Sequence, residues 1–203
     1  MDLSKFIVVI ISMVFVNNFI LSKFLGLCPF IGVSKNIKPA MSMGMAVTFV
    51  AAMSSVITWL VYAFVLIPFK IEYLRTITFV LVIAGFVQFV EMVIRKTTPV
   101  LYRALGIYLP LITTNCAILG VTVLNSDTFF GGGMNKLESF LLSLTQGVFA
   151  GVGFTLALLL MSGIRERLEL TDVPEVMKGV PLAFVIASLM SLAFMGFSGF
   201  KIH

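Results

Sequence analysis

Two short stretches of this chain follow one pattern. The first, at residues 27–34, reads Leu27-Cys28-Pro29-Phe30-Ile31-Gly32-Val33-Ser34, and the second, at residues 115–122, reads Asn115-Cys116-Ala117-Ile118-Leu119-Gly120-Val121-Thr122. Each contains a cysteine, a variable residue, two bulky apolar residues, glycine, valine and a hydroxyl residue. The two cysteines are the only ones in the 203-residue sequence, and both lie in the pattern. A thiol repeated at matching places in two halves of a chain indicates a site on an internal symmetry axis.

The composition around these stretches is that of a membrane protein. Hydrophobic residues make up 60% of the chain and charged residues 11%, whereas a soluble domain carries about a quarter charged residues. A chain of this length cannot bury so much apolar surface internally, so its solvent must be lipid. The basic residues behind the net charge of +5 fall in short loops, which indicates membrane orientation rather than nucleic-acid binding.

Six apolar stretches predict an all-α integral membrane protein, with one membrane domain over residues 1–203. They cover about residues 3–21, 40–67, 74–94, 99–124, 137–161 and 180–200. Most reach the ~20 residues that a helix needs to cross the bilayer. Between them, Gly131-Gly132-Gly133 predicts a turn, Asn135 with Glu138 predicts a helix-capping box, and residues 165–174 predict a charged loop outside the lipid.

The two halves of the chain, about residues 1–96 and 97–203, each contain three predicted spans. Because an odd number of crossings separates the cysteines, equivalent segments enter the membrane from opposite faces, as in an inverted repeat. Interrupted segments in matching positions point to a site near the midplane, and we predict that helices one and four are broken there. Cys28 before Pro29 further predicts a helix N-cap followed by proline at the first helical position. The interrupting residues are Gly26, Pro29 and Gly32 in helix one, and Gly106, Pro110 and Gly120 in helix four.

The distribution of lysine and arginine predicts the orientation. With six spans, the loops on one side hold nine basic residues and those on the other side, with the termini, hold five. The positive-inside rule places the nine in the cytoplasm, so both termini are expected on the outer side. The nine are Lys23, Lys35, Lys38, Arg95, Lys96, Arg103, Arg165, Arg167 and Lys178.

The residues alone leave several roles open for Cys28 and Cys116. They can be buried free thiols, a disulfide or metal ligands, and paired thiolates suit iron–sulfur clusters, zinc or copper(I). A [2Fe–2S] cluster needs four ligands, of which two cysteines supply half. No histidine or carboxylate lies near either motif in the sequence. A metal site would therefore take two more ligands from a partner or a second copy.

Three asparagines are further candidates for an ion path or for contacts around the cysteines. Asn17 and Asn18 precede Cys28 by about ten residues, and they can line a cation path or form hydrogen bonds between helices. Asn115 and the two threonines before it can donate to cluster sulfurs or cap a broken helix.

Glu91 is a carboxylate within the third apolar stretch. An intramembrane carboxylate is by default a functional candidate, here for an ion path. The alternative is an ion pair with Arg95, four residues later, at the boundary between lipid and water.

Several runs together resemble the A subunits of Rnf complexes, which are ion-translocating ferredoxin:NAD⁺ oxidoreductases. Pro29 favours this resemblance over the sister family, the E subunits of the sodium-pumping NADH:quinone oxidoreductase. The resemblance spans the whole chain. Its most specific runs are Phe24-Leu25-Gly26-Leu27-Cys28-Pro29-Phe30, Leu109-Pro110-Leu111-Ile112-Thr113-Thr114-Asn115-Cys116-Ala117, Ile164-Arg165-Glu166-Arg167 and residues 189–199.

The resemblance implies a component of a redox-driven ion translocase in the plasma membrane of a bacterium or archaeon, not catalytic alone. It implies that Cys28 and Cys116 bind the iron of an intramembrane [2Fe–2S] cluster, with two further cysteines from a homologous six-helix E-type subunit. It also implies partner subunits that carry flavin and iron–sulfur centres, and coupled transport of Na⁺ or H⁺. The alternatives are the sister E subunit and a cofactor-free secondary transporter with inverted repeats.

Overall fold

A computed structural model of the chain describes residues 3–97, 111–112, 114–129, 136–171, 174 and 177–196. Within these residues all regular structure is helical. α1 continues as a π-helix over Ser12–Val16, and α3 continues through a π-helix over Tyr62–Leu66 to Phe69. The helices are α1 (Leu3–Ile11), α2 (Leu27–Val33), α3 (Ile37–Val61), α4 (Arg75–Thr97), α5 (Cys116–Phe129), α6 (Lys136–Glu169) and α7 (Val180–Met195).

Among the described residues, three helices are long and apolar enough to cross a membrane, by length and composition. They comprise Ile37–Phe69, Arg75–Val93 and Lys136–Leu168. Three further apolar helices are shorter, namely Phe6–Val16, Cys116–Phe129 and Val180–Met195. The all-α membrane class is confirmed, while six spans in two inverted repeats stay a prediction.

Several predicted features lie outside the described residues. Gly106 and Pro110, two of the predicted interruptions of helix four, are among them, as are the turn at Gly131-Gly132-Gly133 and the helix cap at Asn135.

The first apolar stretch is helical over a shorter length than the predicted residues 3–21. Helical structure ends at Val16, and residues 17–26 form successive turns before α2 begins. Asn18 accounts for part of this change, because its Oδ1 accepts hydrogen bonds from the backbone N–H groups of Ile20 and Leu21. An asparagine side chain that bonds its own backbone competes with helix formation.

The predicted charged loop at residues 165–174 is wrong in its first part, because α6 continues to Glu169. At 34 residues this helix is about 50 Å long, so it exceeds the ~30 Å hydrocarbon layer and leaves the lipid without breaking its backbone hydrogen bonds. Glu166 and Arg167 are exposed on the extension, whereas Arg165 is buried. The charges therefore do not mark the end of the helix.

α3 and α6 pack along one another through a reciprocal contact. A Cβ built on Gly44 would lie 2.5 Å from Thr155 Cγ2, and one built on Gly151 would lie 2.5 Å from Thr48 Cα. Each threonine Oγ1 donates to the carbonyl of the glycine four residues before it, at 2.8 Å. The two Oγ1 atoms are 3.3 Å apart. Small residues at such a crossing let helix backbones approach closely in lipid.

Candidate metal centre at the two cysteine turns

The turn before Cys28 ends in a left-handed glycine. Gly26, at φ 82°, precedes Leu27, the first residue of α2, so Cys28 is the second helical residue and Pro29 the third. The predicted N-cap at Cys28 is therefore wrong by two residues. The reason is that Gly26 reverses the chain at no steric cost, and the helix starts immediately after it.

Hydrogen bonds to two later helices hold this non-helical segment in place. Asn18 is fully buried and donates from Nδ2 to the carbonyl of Gly153 in α6, at 2.8 Å. Ser191 in α7 donates from Oγ to the carbonyl of Leu21, at 2.7 Å. Irregular backbone is tolerated at membrane depth only when protein covers it, and α6 and α7 provide that cover.

The turn before Cys116 is built by side-chain capping instead. Cys116 is the first residue of α5, and Asn115 Oδ1 accepts from the backbone N–H of Ala117 at 3.0 Å. This is the capping role predicted for Asn115 as one of two alternatives. Its Nδ2 is buried and has no hydrogen-bond partner among the described residues.

The fold brings the two cysteine turns together. A Cβ built on Gly26 would lie 3.0 Å from Asn115 Oδ1 and 3.1 Å from Ala117 Cβ, the residues on either side of Cys116. One built on Gly120 would lie 2.7 Å from Leu25 Cδ1. Two stretches 88 positions apart in the sequence therefore share one contact surface.

Both thiols are free and exposed on this surface, so neither the disulfide nor the buried-thiol alternative describes the chain alone. A cavity of about 270 Å³ lies beside Cys116, and Asn115 forms part of its wall. It is lined by Val80, Ile83, Ala84, Thr114, Asn115, Cys116 and Leu119.

The donor set fits half of a thiolate-ligated metal site. Soft thiolates suit iron–sulfur clusters, zinc and copper(I), and two exposed thiols on adjoining turns leave room for ligands from another chain. Among the described residues, no group of three or more histidine, cysteine or acidic side chains could hold a metal ion. The unpartnered Nδ2 of Asn115 adds a hydrogen-bond donor near one thiol.

The other predicted candidates have local roles or remain untested. Asn17 donates from Nδ2 to Ser12 Oγ at 2.9 Å, one turn back. Asn18 forms a hydrogen bond with α6, and a hydrogen bond between helices is one of the two roles predicted for it. Glu91 is half-buried on α4, and the side chain of Arg95, its predicted partner, lies outside the described residues.

Sequence reasoning missed the structural role of Arg165. The residue is 8% exposed, and its Nη1 donates to the carbonyl of Ile31 at 3.0 Å and to Ser34 Oγ at 2.9 Å. Both acceptors lie at the end of the Cys28 helix. The charged run around Arg165 predicts only the orientation of the chain, because nothing in the run shows which side chain turns inward.

A buried polar group between α3, α5 and α6 was also missed. Asn125 donates from Nδ2 to Ser55 Oγ at 3.2 Å and to the carbonyl of Ser143 at 3.4 Å. Four buried polar atoms on these helices have no partner within the described part of the chain, namely Ser54 Oγ, Asn125 Oδ1, Ser143 Oγ and Gln146 Nε2. The signal was available as polar residues at helical spacing inside apolar stretches.

Comparison with known proteins identifies the family of the chain. The family model described as "Rnf-Nqr subunit, membrane protein" matches residues 6–201. A relative from Edwardsiella ictaluri, named as the A subunit of an ion-translocating oxidoreductase complex, is 53% identical over 97% of this chain and 98% of its own length.

Two other relatives carry related names. The A subunit of the Na(+)-translocating ferredoxin:NAD(+) oxidoreductase complex of Acetobacterium woodii is 52% identical over 97% of this chain and 98% of its own length. The A subunit of the ion-translocating oxidoreductase complex of Azoarcus sp. is 52% identical over 99% of this chain and its full length. On these matches the chain belongs to the Rnf-Nqr family of membrane subunits, among the A subunits of Rnf complexes.

Proposed function

We propose that the chain is the A subunit of an ion-translocating ferredoxin:NAD⁺ oxidoreductase, and that Cys28 and Cys116 supply two of the four ligands of a [2Fe–2S] cluster in the membrane. The names of its relatives support the assignment of the chain to this complex. One observation carries the ligand assignment: both thiols are exposed, and they sit on turns that contact each other.

The chain itself would bind, orient and shield the group. Each cysteine lies in the first turn of a helix, where unpaired backbone N–H groups favour negative charge. Asn115 Nδ2, which has no hydrogen-bond partner among the described residues, is a donor beside Cys116. Hydrogen bonds to α6 and α7 hold the turn before Cys28, and this turn contacts the turn before Cys116, so the two thiols would keep a fixed relation. When bound, the cluster supplies one-electron transfer.

The remaining two ligands would come from a homologous E-type subunit that also has two cysteine turns. The reciprocal contact of Gly44 and Thr48 with Thr155 and Gly151 supports an internal two-fold relation between α3 and α6. That relation is expected if the two halves of the chain are inverted repeats. Other subunits with flavin and iron–sulfur centres would exchange electrons with the pair, coupled to movement of Na⁺ or H⁺.

The test of the ligand assignment is iron content and the EPR spectrum of the dithionite-reduced complex. Wild type is compared with Cys28→Ser and Cys116→Ser, and Ser188→Ala serves as a control because this exposed hydroxyl donates to the carbonyl of Val185 on its own helix. We expect each cysteine variant to assemble and lose about two irons and their signal. The control should keep both.

An unchanged spectrum in both cysteine variants would contradict the assignment. A complex that never contains iron but transports cations would favour the cofactor-free transporter. The E subunit of the sodium-pumping enzyme is the weaker alternative, because the relatives described above are A subunits.

We also propose that both termini face outward. Lys35, Arg165 and Lys178 line one cavity, which supports the prediction that the first and last of the basic loops share a side. Fusion of alkaline phosphatase to the C-terminus tests the orientation. High phosphatase activity is expected. An inactive fusion that still assembles would reverse the proposed orientation.

A further inference from the structure

A second cavity lies at the opposite end of α2 from Cys28. It has a volume of about 270 Å³ and lies where α2, α6 and α7 meet. Its wall carries three basic side chains from three parts of the chain, together with apolar side chains. The lining residues are Lys35, Arg165, Leu168, Thr171, Lys178, Gly179 and Leu182.

The charge in this cavity is not neutralised by the described residues. Arg165 is nine-tenths buried, yet its hydrogen-bond acceptors are a carbonyl and a hydroxyl, both neutral. Across the described residues, neither Lys35 nor Lys178 has an ion-pair partner. Lys35 and Lys178 are exposed, whereas Arg165 is a buried charge, and buried charges in proteins are normally paired. The buried guanidinium, with two further basic side chains beside it, therefore favours an anion in the cavity.

The unused donors suit a phosphate. Arginine carries five N–H donors in a fork that matches phosphate oxygens, and Arg165 uses only Nη1 for its two bonds. The N-terminus of α7, a helix of 16 residues that begins after Gly179, adds backbone N–H groups on the same wall. A helix N-terminus favours anions.

We infer that this cavity binds a phosphate anion, and specifically the headgroup of an anionic phospholipid. A free phosphate shares the chemistry, but Leu168 and Leu182 give the cavity an apolar wall, and the loops that carry the lysines adjoin membrane-crossing helices. Basic pockets between transmembrane helices are known to take anionic headgroups. This inference does not depend on the cysteines or on electron transfer.

The test compares two double variants of the full chain, purified in detergent with whatever subunits accompany it. Lys35→Gln with Lys178→Gln removes two cavity charges and leaves Arg165 in place. Lys23→Gln with Lys38→Gln is the matched control, because both side chains are exposed, lie outside the cavity and are expected on the same membrane side.

Phospholipid retained per chain is measured by mass spectrometry after repeated detergent exchange. The shift in thermal midpoint is then measured with phosphatidylglycerol, phosphatidylcholine or inorganic phosphate.

We expect wild type and control to retain anionic phospholipid and to be stabilised by phosphatidylglycerol more than by phosphatidylcholine. The cavity variant should bind phosphatidylglycerol roughly tenfold more weakly or worse, as expected when two basic residues near an anionic surface are removed. Equal lipid retention by the cavity variant and the control would overturn the inference. Stabilisation by inorganic phosphate but not by phosphatidylglycerol would contradict the assignment of the anion to a phospholipid headgroup. If the double variant does not fold, Lys178→Gln alone is titrated with phosphatidylglycerol and with inorganic phosphate. The same two outcomes then decide the inference.

Discussion

The turn that leads into Cys28 and the turn that leads into Cys116 follow one sequence pattern but are built in different ways. The first depends on a left-handed glycine and on hydrogen bonds to α6 and α7. In the second, the side chain of Asn115 caps the helix that follows. The helices that follow also differ, with seven residues in α2 and fourteen in α5.

The C-terminal ends of α2 and α5 also differ, and again the contacts at α2 come from a distant part of the chain. α2 ends at a buried arginine that donates to Ile31 and Ser34. α5 ends beside an ion pair between Arg75 and Asp127, and the Asp127 side chain is 54% exposed. Among the described residues, hydrogen bonds to distant helices hold the Cys28 turn, whereas the cap of the Cys116 turn is a bond between neighbours in the sequence. Substitutions should affect the first more than the second.

The largest effect is expected at Gly26. Gly26→Ala places a methyl group at positive φ and within 2.9 Å of Phe154 Cε2. Backbone strain and overpacking together should lower the free energy of unfolding by about 2–4 kcal/mol. The measurement is the apparent thermal midpoint in detergent. Gly163→Ala in α6 is the control, because its Cβ would meet nothing within 4 Å. Equal midpoints for the two variants would show that the turn is not under tertiary constraint.

The arginine at the end of α2 should rank next. Arg165→Met removes two hydrogen bonds from a charged donor, with an expected loss of about 1.5–3 kcal/mol. Asp127→Asn at the end of α5 breaks an exposed ion pair and should change stability by less than ~1 kcal/mol. Chemical denaturation of both variants in mixed micelles provides the comparison. A larger loss from Asp127→Asn would reverse the proposed difference between the helix ends.

The paired glycines of the pattern offer a direct comparison. Gly120→Ala would bring a methyl group to 2.7 Å from Leu25 Cδ1, the end of a flexible side chain, and should cost about 1–2 kcal/mol. Gly32→Ala meets nothing within 4 Å and should be neutral or stabilise the helix by up to ~1 kcal/mol. Thermal midpoints that move together would mean that the two halves are equivalent at this position.

The smallest effect is expected at the cap of α5. Asn115→Ala removes the side-chain acceptor for the backbone N–H of Ala117 and should cost about 1 kcal/mol. Asn115→Asp keeps an acceptor and loses Nδ2, so it should keep more stability than the alanine variant. The two midpoints are measured beside iron content. A cap role is contradicted if both variants lose the same stability.

Sequence reasoning succeeded where one signal had one physical cause. The scarcity of charge predicts the lipid environment, and the all-α class follows because backbone groups in lipid must be paired within a helix. The cysteine pattern led to two turns that the fold brings into contact. Asn18 and Asn115 were chosen as polar residues in apolar surroundings, and both make buried hydrogen bonds.

It failed where a local rule competed with a contact elsewhere in the chain. Proline after Cys28 suggested a helix start at that cysteine, but Gly26 turns the chain two residues earlier. The charged run after residue 164 suggested a loop, but α6 continues to Glu169, and Arg165 finds its acceptors at the end of α2. Neither acceptor is near Arg165 in the sequence, and their separation of 134 and 131 residues hides the pair from any local pattern.

Composition and a repeated motif are properties of the residues alone, and they suffice to predict the lipid solvent, the helical class, the family and the importance of the two thiols. Three other features appear only when the chain is folded: the two cysteine turns adjoin, distant helices hold one of them, and three basic residues from separate parts of the chain line one cavity. These features depend on which helix faces pack together. A close approach such as that of Gly44 to Thr155 is a property of two distant segments at once, and neither segment specifies it alone.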